Sequence, residues 1–246
     1  MAGLRLIVGL DNPGSDYART RHNAGFWFVD ALAQQCGARF GLESKLFGET
    51  AKVEIAGQSV WLLKPATFMN LSGKSITAAL RYWKIEPEEM LVAHDELDLP
   101  PGVARLKFDG GHGGQNGLRD TIQLLGHGKF HRLRVAIGHP GHKDKVTPWV
   151  LGRPGKDDEA LILRAIDDAL SALPLAVQGN FMDAIRASFA LPGVFPPVEL
   201  NHRLLIDGAL VNGSARTVGW LSGVVRHVQS GYLYHYAFAM IIGLSL

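Results

Sequence analysis

The sequence predicts an α/β fold, a single-domain layer sandwich in which helices flank a mixed, largely parallel sheet. Short apolar stretches alternate with amphipathic stretches along about the first three quarters of the 246 residues. The apolar stretches end in polar or glycine-rich loops, which is typical of strands in such sheets. Apolar residues make up 47% of the chain, enough to form a buried core.

The predicted elements alternate regularly, which favours parallel strands joined by helices. Four apolar stretches predict strands at residues 4–10, 60–63, 90–93 and 133–138. Four amphipathic stretches predict helices at residues 24–36, 72–83, 117–125 and 157–173. The first helix is expected to bury one face made of Phe26, Val29, Leu32 and Ala33. We expect the region of Asn70 and Ser72 to cap the second helix.

The charge of the chain gives no sign of a generally basic protein. The net charge is +2, and its small excess lies in residues 184–246, because residues 1–183 are formally neutral. Any site for a polyanion must therefore be local. The basic residues that could form such a site are Arg105, Lys107, Arg132, Arg134, Lys143 and Lys145.

The cysteine content and the N-terminus indicate the cellular compartment. The single cysteine, Cys36, rules out an internal disulfide and suits a reducing environment. No basic region followed by a long apolar stretch precedes the first predicted strand, so we expect no secretory signal and a cytoplasmic protein.

One histidine, one carboxylate and three asparagines lie at or beside the predicted ends of strands and helices. They are Asn12, His22, Asn70, Asp95 and Asn116. An imidazole can take a proton from water near neutral pH, and a carboxylate on its other nitrogen fixes its tautomer. The pattern predicts a hydrolase in which His22 is the base, Asp95 orients it and the amides hold the substrate.

Other chemistries find less support. Glu96 and Asp98 remain alternatives to Asp95 as the orienting carboxylate. A covalent nucleophile is not favoured, because there is no Gly-x-Ser-x-Gly motif and Cys36 has no paired base. The three histidines at residues 131, 139 and 142 lack the spacing of a metal site, so we expect no metal.

A glycine-rich stretch at residues 110–117 precedes the third predicted helix. Its backbone N–H groups could hold a phosphate, and its two amide side chains could point at a substrate. The alternative is a mobile turn with no ligand. Lys107 and Arg134 would add positive charge beside it.

Several motifs in this order resemble those of the bacterial peptidyl-tRNA hydrolases. They are VGLDNPG at 8–14, TRHNAG at 20–25, FMNLSG at 68–73, HDELD at 94–98, GGQNGL at 113–118, HRLR at 131–134 and GHPG at 138–141. The resemblance covers residues 1–183 and implies a single α/β domain. It also implies hydrolysis of the ester between a peptide and the 3′ ribose of tRNA.

The resemblance assigns a role to each matching residue. His22 would be the base and Asp95 its partner. Tyr17 and the three asparagines named above would bind the peptidyl end, and Lys107 and Arg134 would face the tRNA 5′ phosphate. The resemblance implies no cofactor, no metal and no obligate protein partner, and it implies a monomer.

Two positions depart from the family pattern. Asp11 stands where small residues are usual and adds a carboxyl group beside Asn12. Gln115 stands where many bacterial members have histidine, so it can form hydrogen bonds but cannot titrate. Neither change removes the predicted base.

Residues 184–246 do not fit the family, and we expect an atypical tail with no independent function. Residues 184–212 resemble the second half of a patatin-like phospholipase, in which Asp207 would pair with a serine that this chain lacks. Residues 213–246 resemble the C-terminal part of membrane subunit L of proton-pumping NADH:quinone oxidoreductase. The uncharged residues 232–246 are fewer than the ~20 that span a bilayer, which predicts at most weak membrane association.

Three functions compete at this point. The first is peptidyl-tRNA ester hydrolysis by a water that His22 activates. The second is a membrane-associated, patatin-like acyl hydrolase that uses Asp207. The third is a non-catalytic module that binds tRNA or nucleotides, in which His22 has no turnover to support.

Overall fold

A seven-stranded sheet organises the first part of the chain. It is seen in a computed structural model that describes residues 3–184, 198–200, 203–206 and 209–212. By their internal contacts the residues divide into two units, Met1–Ser188 and Phe189–Leu246. The strands of the first unit are β1 (Leu6–Gly9), β2 (Gly41–Glu43), β3 (Gly48–Ile55), β4 (Gln58–Pro65), β5 (Met90–Glu96), β6 (Ala104–Phe108) and β7 (His131–Ala136). Its helices are α1 (Ala24–Gln35), α2 (Ser72–Trp83), α3 (Asn116–Leu125), α4 (Val146–Val150) and α5 (Lys156–Val177).

The strand order across the sheet is β2-β3-β4-β1-β5-β7-β6. The four inner strands β4, β1, β5 and β7 are parallel. The strands β2 and β3 on one edge and β6 on the other pair antiparallel with their neighbours. The predicted mixed, largely parallel sheet is therefore confirmed.

Helices cover both faces of the sheet. α1 packs on β1 and β5, and α5 packs on β6 and β7, on the same side. α2 and α3 pack together on the other side, where Ile76, Ala79 and Leu118 join a buried cluster with Leu6 and Val8. Since side chains alternate between the two faces of a strand, β1 contributes to both cores, and all four of its residues are buried.

All eight predicted elements are present, and most of their ends move by one to four residues. The largest shift that matters is in β5, which runs on through Glu96, so that His94 and Asp95 lie in the strand and not in a loop. Asp95 and Glu96 stay in the sheet because they pair with Val135 and Ala136 of β7.

Four of the strands and α-helices named above for the first unit were not predicted: β2, β3, β6 and α4. β3 and β4 form a hairpin whose two-residue turn, Ala56-Gly57, has positive φ at both positions (51° and 76°). Alanine is unusual in that conformation, so the sequence carries no ordinary hairpin signal there. The alternating burial of Ala51, Val53 and Ile55 along β3 is the pattern that could have revealed it.

Two local predictions were wrong. The buried face of α1 contains Phe28 together with Val29, Leu32 and Ala33, whereas Phe26 is only half-buried and lies under the Lys64 ammonium, 4.7 Å from its ring. α2 is not capped by Asn70 or Ser72. Leu71 holds the cap position without a side-chain hydrogen bond, and the Asp120 carboxylate instead accepts from the Gly73 N–H at 2.8 Å.

A glycine sets the closest contact between α1 and the sheet. A Cβ on Gly25 would lie 2.4 Å from the carbonyl oxygen of Ala93 and 2.6 Å from the backbone N and O of Leu10. The start of α1 therefore lies against the ends of β1 and β5. This contact brings His22, two residues before α1, to the carboxyl end of β5.

The second unit contains a small antiparallel sheet in the order β10-β9-β8. Its strands are β8 (Val198–Leu200), β9 (Arg203–Ile206) and β10 (Ala209–Asn212). Asp207, the residue that the patatin-like hypothesis uses, and residues 213–246, which carry the second tail resemblance, lie outside the described residues. Within the described part of the chain, no helix combines the length and apolar character that crossing a membrane requires.

We predict that Gly25→Ala lowers the free energy of unfolding by about 1–3 kcal/mol, because the methyl group would meet backbone atoms that cannot move aside. Urea unfolding measures the change. Gly41→Ala is the matched control, since a Cβ at Gly41 in β2 meets no atom of the described residues within 4 Å. Equal stability of the two variants would contradict this account of the α1 contact.

Candidate active site

A cleft of about 610 Å³ opens at the carboxyl ends of the inner parallel strands. β1 lies between β4 and β5, and the chain leaves it first toward one edge of the sheet and later toward the other. Ligands of open α/β sheets bind at such a point. The residues that line the cleft include Asn12, His22, Met69, Asn70, Asp95, Gln115 and Asn116.

His22 and Asp95 are in direct contact in this cleft. The Nδ1 atom of His22 lies 2.9 Å from Oδ2 of Asp95, and the two side chains are only 11% and 3% exposed. Because the carboxylate accepts, Nδ1 carries the proton and Nε2 of the neutral ring is the free base. Of the three carboxylates considered from the sequence, Asp95 is the one that contacts His22.

Each side chain of this pair stabilises the charged form of the other. Burial lowers the pKa of His22, but the Asp95 carboxylate and its hydrogen bond raise it by more, so the pKa lies above its ordinary value. Burial raises the pKa of Asp95, but His22 and the hydrogen bonds from His22 and Gln115 bring it below its ordinary value. Asp95 therefore stays ionised and stabilises an imidazolium.

Gln115 holds the other oxygen of the Asp95 carboxylate. Its Nε2 donates to Oδ1 of Asp95 at 3.1 Å and lies 3.1 Å from the Met69 sulfur. Its Oε1 accepts from the Leu118 N–H at 2.8 Å and so caps α3. From the sequence, Gln115 stood out as a departure from the family pattern and as one of two amide side chains that could point at a substrate. Its position at the start of a predicted helix was the available sign that it caps that helix.

Asn12 is fixed from two sides. Its Oδ1 accepts from the Met69 N–H at 2.8 Å, so its Nδ2 is the end that can donate to a ligand. Asn23, which sequence reasoning missed, holds the Asn12 backbone through two hydrogen bonds. The Asn12 N–H donates to Oδ1 of Asn23 at 3.3 Å, and Nδ2 of Asn23 donates to the Asn12 carbonyl at 3.2 Å.

The other predicted substrate residues differ in placement. Asn70 and Asn116 are exposed on the cleft wall, and Oδ1 of Asn116 accepts from Arg119 at 2.9 Å, which leaves its amino group as the donor. Tyr17 is half-buried in the turn after β1 and is not among the residues that line the cleft.

Arg21 links the short helical turn that contains His22 to α4, which forms one wall of the cleft. Its guanidinium lies 3.8 Å from the ring centre of Trp149 in α4, donates to the Arg153 carbonyl at 2.9 Å and pairs with Asp158 at 3.3 Å. Since α4 and Leu151 after it line the cleft, this contact fixes the wall next to His22. Arg21 belongs to the TRHNAG motif, but the motif predicted no role for it.

His94 is a second imidazole at the cleft. Its Nδ1 donates to the Asp95 carbonyl at 2.7 Å, and its buried Nε2 has no partner among the described residues. Burial lowers its pKa, so the ring is neutral. Of the other two carboxylates considered from the sequence, Glu96 pairs with Arg134 at 2.7 Å and Asp98 is exposed.

Basic residues gather on one face of the sheet edge next to the cleft. Register pairs Arg105 with Arg134 and Lys107 with Arg132 across β6 and β7, so all four lie on the same face. Arg132 is buried and donates to the carbonyls of Gly110 and of Gly111 in the glycine-rich loop. Lys107 is exposed on this face, and Lys143 and Lys145 are exposed in a separate turn.

No described group of three or more histidine, cysteine or acidic side chains is arranged to hold a metal ion. His131, one of the three histidines considered from the sequence, is buried and stacks on Phe181 at 3.5 Å between ring centres. Cys36 is exposed at the end of α1, and burial of its sulfur raises the pKa of its thiol.

Comparison with known proteins identifies the family. The family model described as peptidyl-tRNA hydrolase matches residues 6–191. The chain belongs to the peptidyl-tRNA hydrolase family. The match extends a few residues past the boundary at residue 183 that the sequence motifs suggested.

Curated relatives and solved structures agree with this assignment. The chain is 81% identical over 186 residues to a peptidyl-tRNA hydrolase of Stenotrophomonas maltophilia, covering 76% of this chain and 97% of the relative. It is 77% identical to one of Xanthomonas campestris pv. campestris, over 76% of this chain and 96% of the relative. A crystal structure of the Acinetobacter baumannii peptidyl-tRNA hydrolase is 49% identical with a TM-score of 0.74, and the match covers 76% of this chain and 94% of that chain.

We predict that Asp95→Asn lowers the pKa of His22. The carboxylate and its hydrogen bond are what raise that pKa, and without them the effect of burial, which lowers it, remains. NMR titration of the His22 ring measures the shift. Asp98→Asn, which removes an exposed acid three residues away, is the control and should leave the His22 pKa unchanged. An equal pKa in wild type and Asp95→Asn would contradict the pairing.

Proposed function

We propose that this chain hydrolyses the ester bond between the peptide and the 3′ ribose of tRNA in peptidyl-tRNA, releasing free tRNA. The observation that carries the proposal is the buried His22–Asp95 pair in the cleft of a chain from this family. The relatives that it matches over nearly their full length are named peptidyl-tRNA hydrolases.

The pair supports a direct attack by water. Nε2 of neutral His22 takes a proton from a water molecule while the water oxygen forms a bond to the ester carbonyl carbon. The ionised Asp95 stabilises the imidazolium that forms. When the tetrahedral intermediate collapses, the bond to the ribose 3′ oxygen breaks and that oxygen takes the proton from His22. The scheme uses no metal ion and no cofactor, and general-base help of this kind contributes roughly 10²–10⁴-fold.

The asparagines are suited to bind the peptidyl end and the developing negative charge. The side-chain oxygens of Asn12 and Asn116 are already taken by protein donors, so their amino groups are left as donors at the cleft. Donors that point at an oxyanion contribute about 10²–10³ in rate. Asn70, exposed on the same wall, adds a third amide. Tyr17 is proposed as a further contact to the peptide, although it is set back from the cleft lining.

The basic face of β6 and β7 is proposed as the tRNA contact, through Lys107 and Arg134. Lys107 is exposed and available to a phosphate, whereas Arg134 is held at 2.7 Å by Glu96. Since Glu96 also lines the cleft, this ion pair would connect the tRNA contact to the catalytic end.

We assign the activity to residues 1–183, because all the described residues that line the cleft lie between Asn12 and Leu151. We propose that residues 184–246 have no independent function and at most associate weakly with membranes. We also propose that the protein acts in the cytoplasm as a monomer without an obligate protein partner.

His22→Ala is predicted to lower kcat on peptidyl-tRNA by about 10²–10⁴ with little change in substrate affinity, because the base acts in the transition state. Single-turnover kinetics and a binding measurement on the same substrate separate the two effects. His127→Ala is the control, since His127 lies just beyond the C-terminal end of α3 and is not among the described residues that line the cleft. Substrate binding without turnover in the wild-type protein would favour the non-catalytic tRNA-binding module instead.

Lys107→Ala is predicted to weaken binding and to reduce the slope of log affinity against log salt by about 0.7–0.9, the value of one phosphate contact. Arg134→Ala should reduce the slope similarly and also release the Glu96 carboxylate. Lys52→Ala removes an exposed lysine from β3, near the far edge of the sheet, and should leave the slope unchanged. A slope equal to the wild-type slope in both Lys107→Ala and Arg134→Ala would place the tRNA elsewhere.

A further inference from the structure

Asp11, which follows β1 and precedes Asn12, is a buried carboxyl group with little to support a negative charge. The residue is 2% exposed, and its Oδ1 has neither solvent contact nor a hydrogen-bond partner among the described residues. An ionised carboxylate in such a place costs far more free energy than the neutral acid.

The charged groups around Asp11 do not compensate for this cost. They surround a cavity of about 260 Å³ and come from three elements, Asp30 on α1, Glu49 on β3 and Lys64 on β4. The Lys64 ammonium is committed to the two other carboxylates, at 2.8 Å from Asp30 and 3.7 Å from Glu49. Burial raises the pKa of Asp11 to about 8, although Lys64 opposes the shift. Asp11 therefore holds a proton at neutral pH.

Apart from Lys64, the groups that favour ionised Asp11 are the same groups that hold Asn12. The Asn12 N–H and the Asn23 side chain both interact with the Asp11 carboxyl and favour its charged form. In the structure these two groups form the Asn12–Asn23 bridge, with hydrogen bonds of 3.3 and 3.2 Å. A carboxylate is a stronger acceptor than either partner in that bridge. Ionisation of Asp11 would therefore draw donors out of it.

We propose that Asp11 is a positioning residue for Asn12: its neutral acid leaves the Asn12–Asn23 bridge intact, and its ionised form weakens that bridge and lowers activity. The inference rests on the proposed function, because it concerns the rate of the same reaction. It adds an alkaline limit to the pH range of this chain that a small residue at position 11 would not impose.

The bridge connects Asp11 to both sides of the reacting centre. Asn12 is held on its other side by the Met69 N–H at 2.8 Å, so movement of its backbone turns the amide at the cleft. Asn23 directly follows the base, His22, in the same short helical turn, Arg21–Asn23. Displacement of Asn12 would therefore move an amide at the cleft, and displacement of Asn23 would move the residue next to the base.

The first test is the pH profile of kcat/KM on peptidyl-tRNA between about pH 6 and pH 9.5, after subtraction of spontaneous ester hydrolysis. The wild type should lose activity on the acid side as His22 is protonated and on the alkaline side with a midpoint near pH 8. Asp11→Asn, which resembles the neutral acid in shape, should match the wild type within about threefold at neutral pH and lose the alkaline decline. Asp16→Asn, an exposed acid in the same loop, is the control and should keep the wild-type profile.

The second test does not depend on activity. Between about pH 4 and pH 8 the folded protein keeps the Asp11 proton and the unfolded chain does not, so wild-type stability falls with rising pH relative to Asp11→Asn. Above that window the difference becomes constant. Urea unfolding of both proteins across this range measures it, and Asp11→Ala serves as a second variant that also removes the proton if the asparagine does not fold.

The two tests separate the possible failures. Parallel stability curves in wild type and variant would show that Asp11 is ionised at neutral pH, and the proposal would be wrong. Diverging stability curves with an unchanged alkaline decline in Asp11→Asn would also overturn it, because the bridge would then not depend on Asp11. Diverging stability curves with no hydrolysis by any of the proteins would instead overturn the proposed function, and the positioning role with it.

Discussion

The Asp95 carboxylate is the group on which the rest of the site depends. It lies in β5, is almost fully buried and has both oxygens occupied, one by His22 and the other by Gln115. A buried charge is tolerable only when it is paired and hydrogen-bonded. The two partners come from opposite faces of the sheet, since His22 precedes α1 and Gln115 caps α3. One charge therefore joins both helical layers at the edge where the strands end.

The backbone must come unusually close for this arrangement to form. Gly25 allows the start of α1 to lie against Leu10 and Ala93, and a side chain there would move His22 away from β5. Arg21 then links the same turn to α4, which closes the outer side of the cleft. The catalytic histidine of the proposed mechanism is thus positioned by its neighbours in sequence. Arg21 acts through its contact with α4, and Gly25 acts through its close contact with the sheet.

The sequence predicted the inner strands and the four long helices, because the strands are largely apolar and the helices are amphipathic. It did not predict the outer strands β2, β3 and β6, where only five of sixteen residues are buried and the Ala56-Gly57 turn has no usual signal. In the site, His22 and Asp95 could be predicted since their chemistry is specific to their residue types. Gln115, Asn23 and Arg21 could not, because their roles depend on contacts between segments up to 137 residues apart.

Asp11 and Asp95 show how the same fold gives two buried carboxyl groups opposite protonation states. Both follow or end parallel strands, and burial alone would raise the pKa of either. Asp95 meets a histidine and an amide that have no better acceptor, so its charge is stabilised. Asp11 lies beside donors that already hold Asn12 and beside a lysine that already holds Asp30. What decides the charge is therefore the supply of uncommitted donors, and burial sets only how much that supply matters.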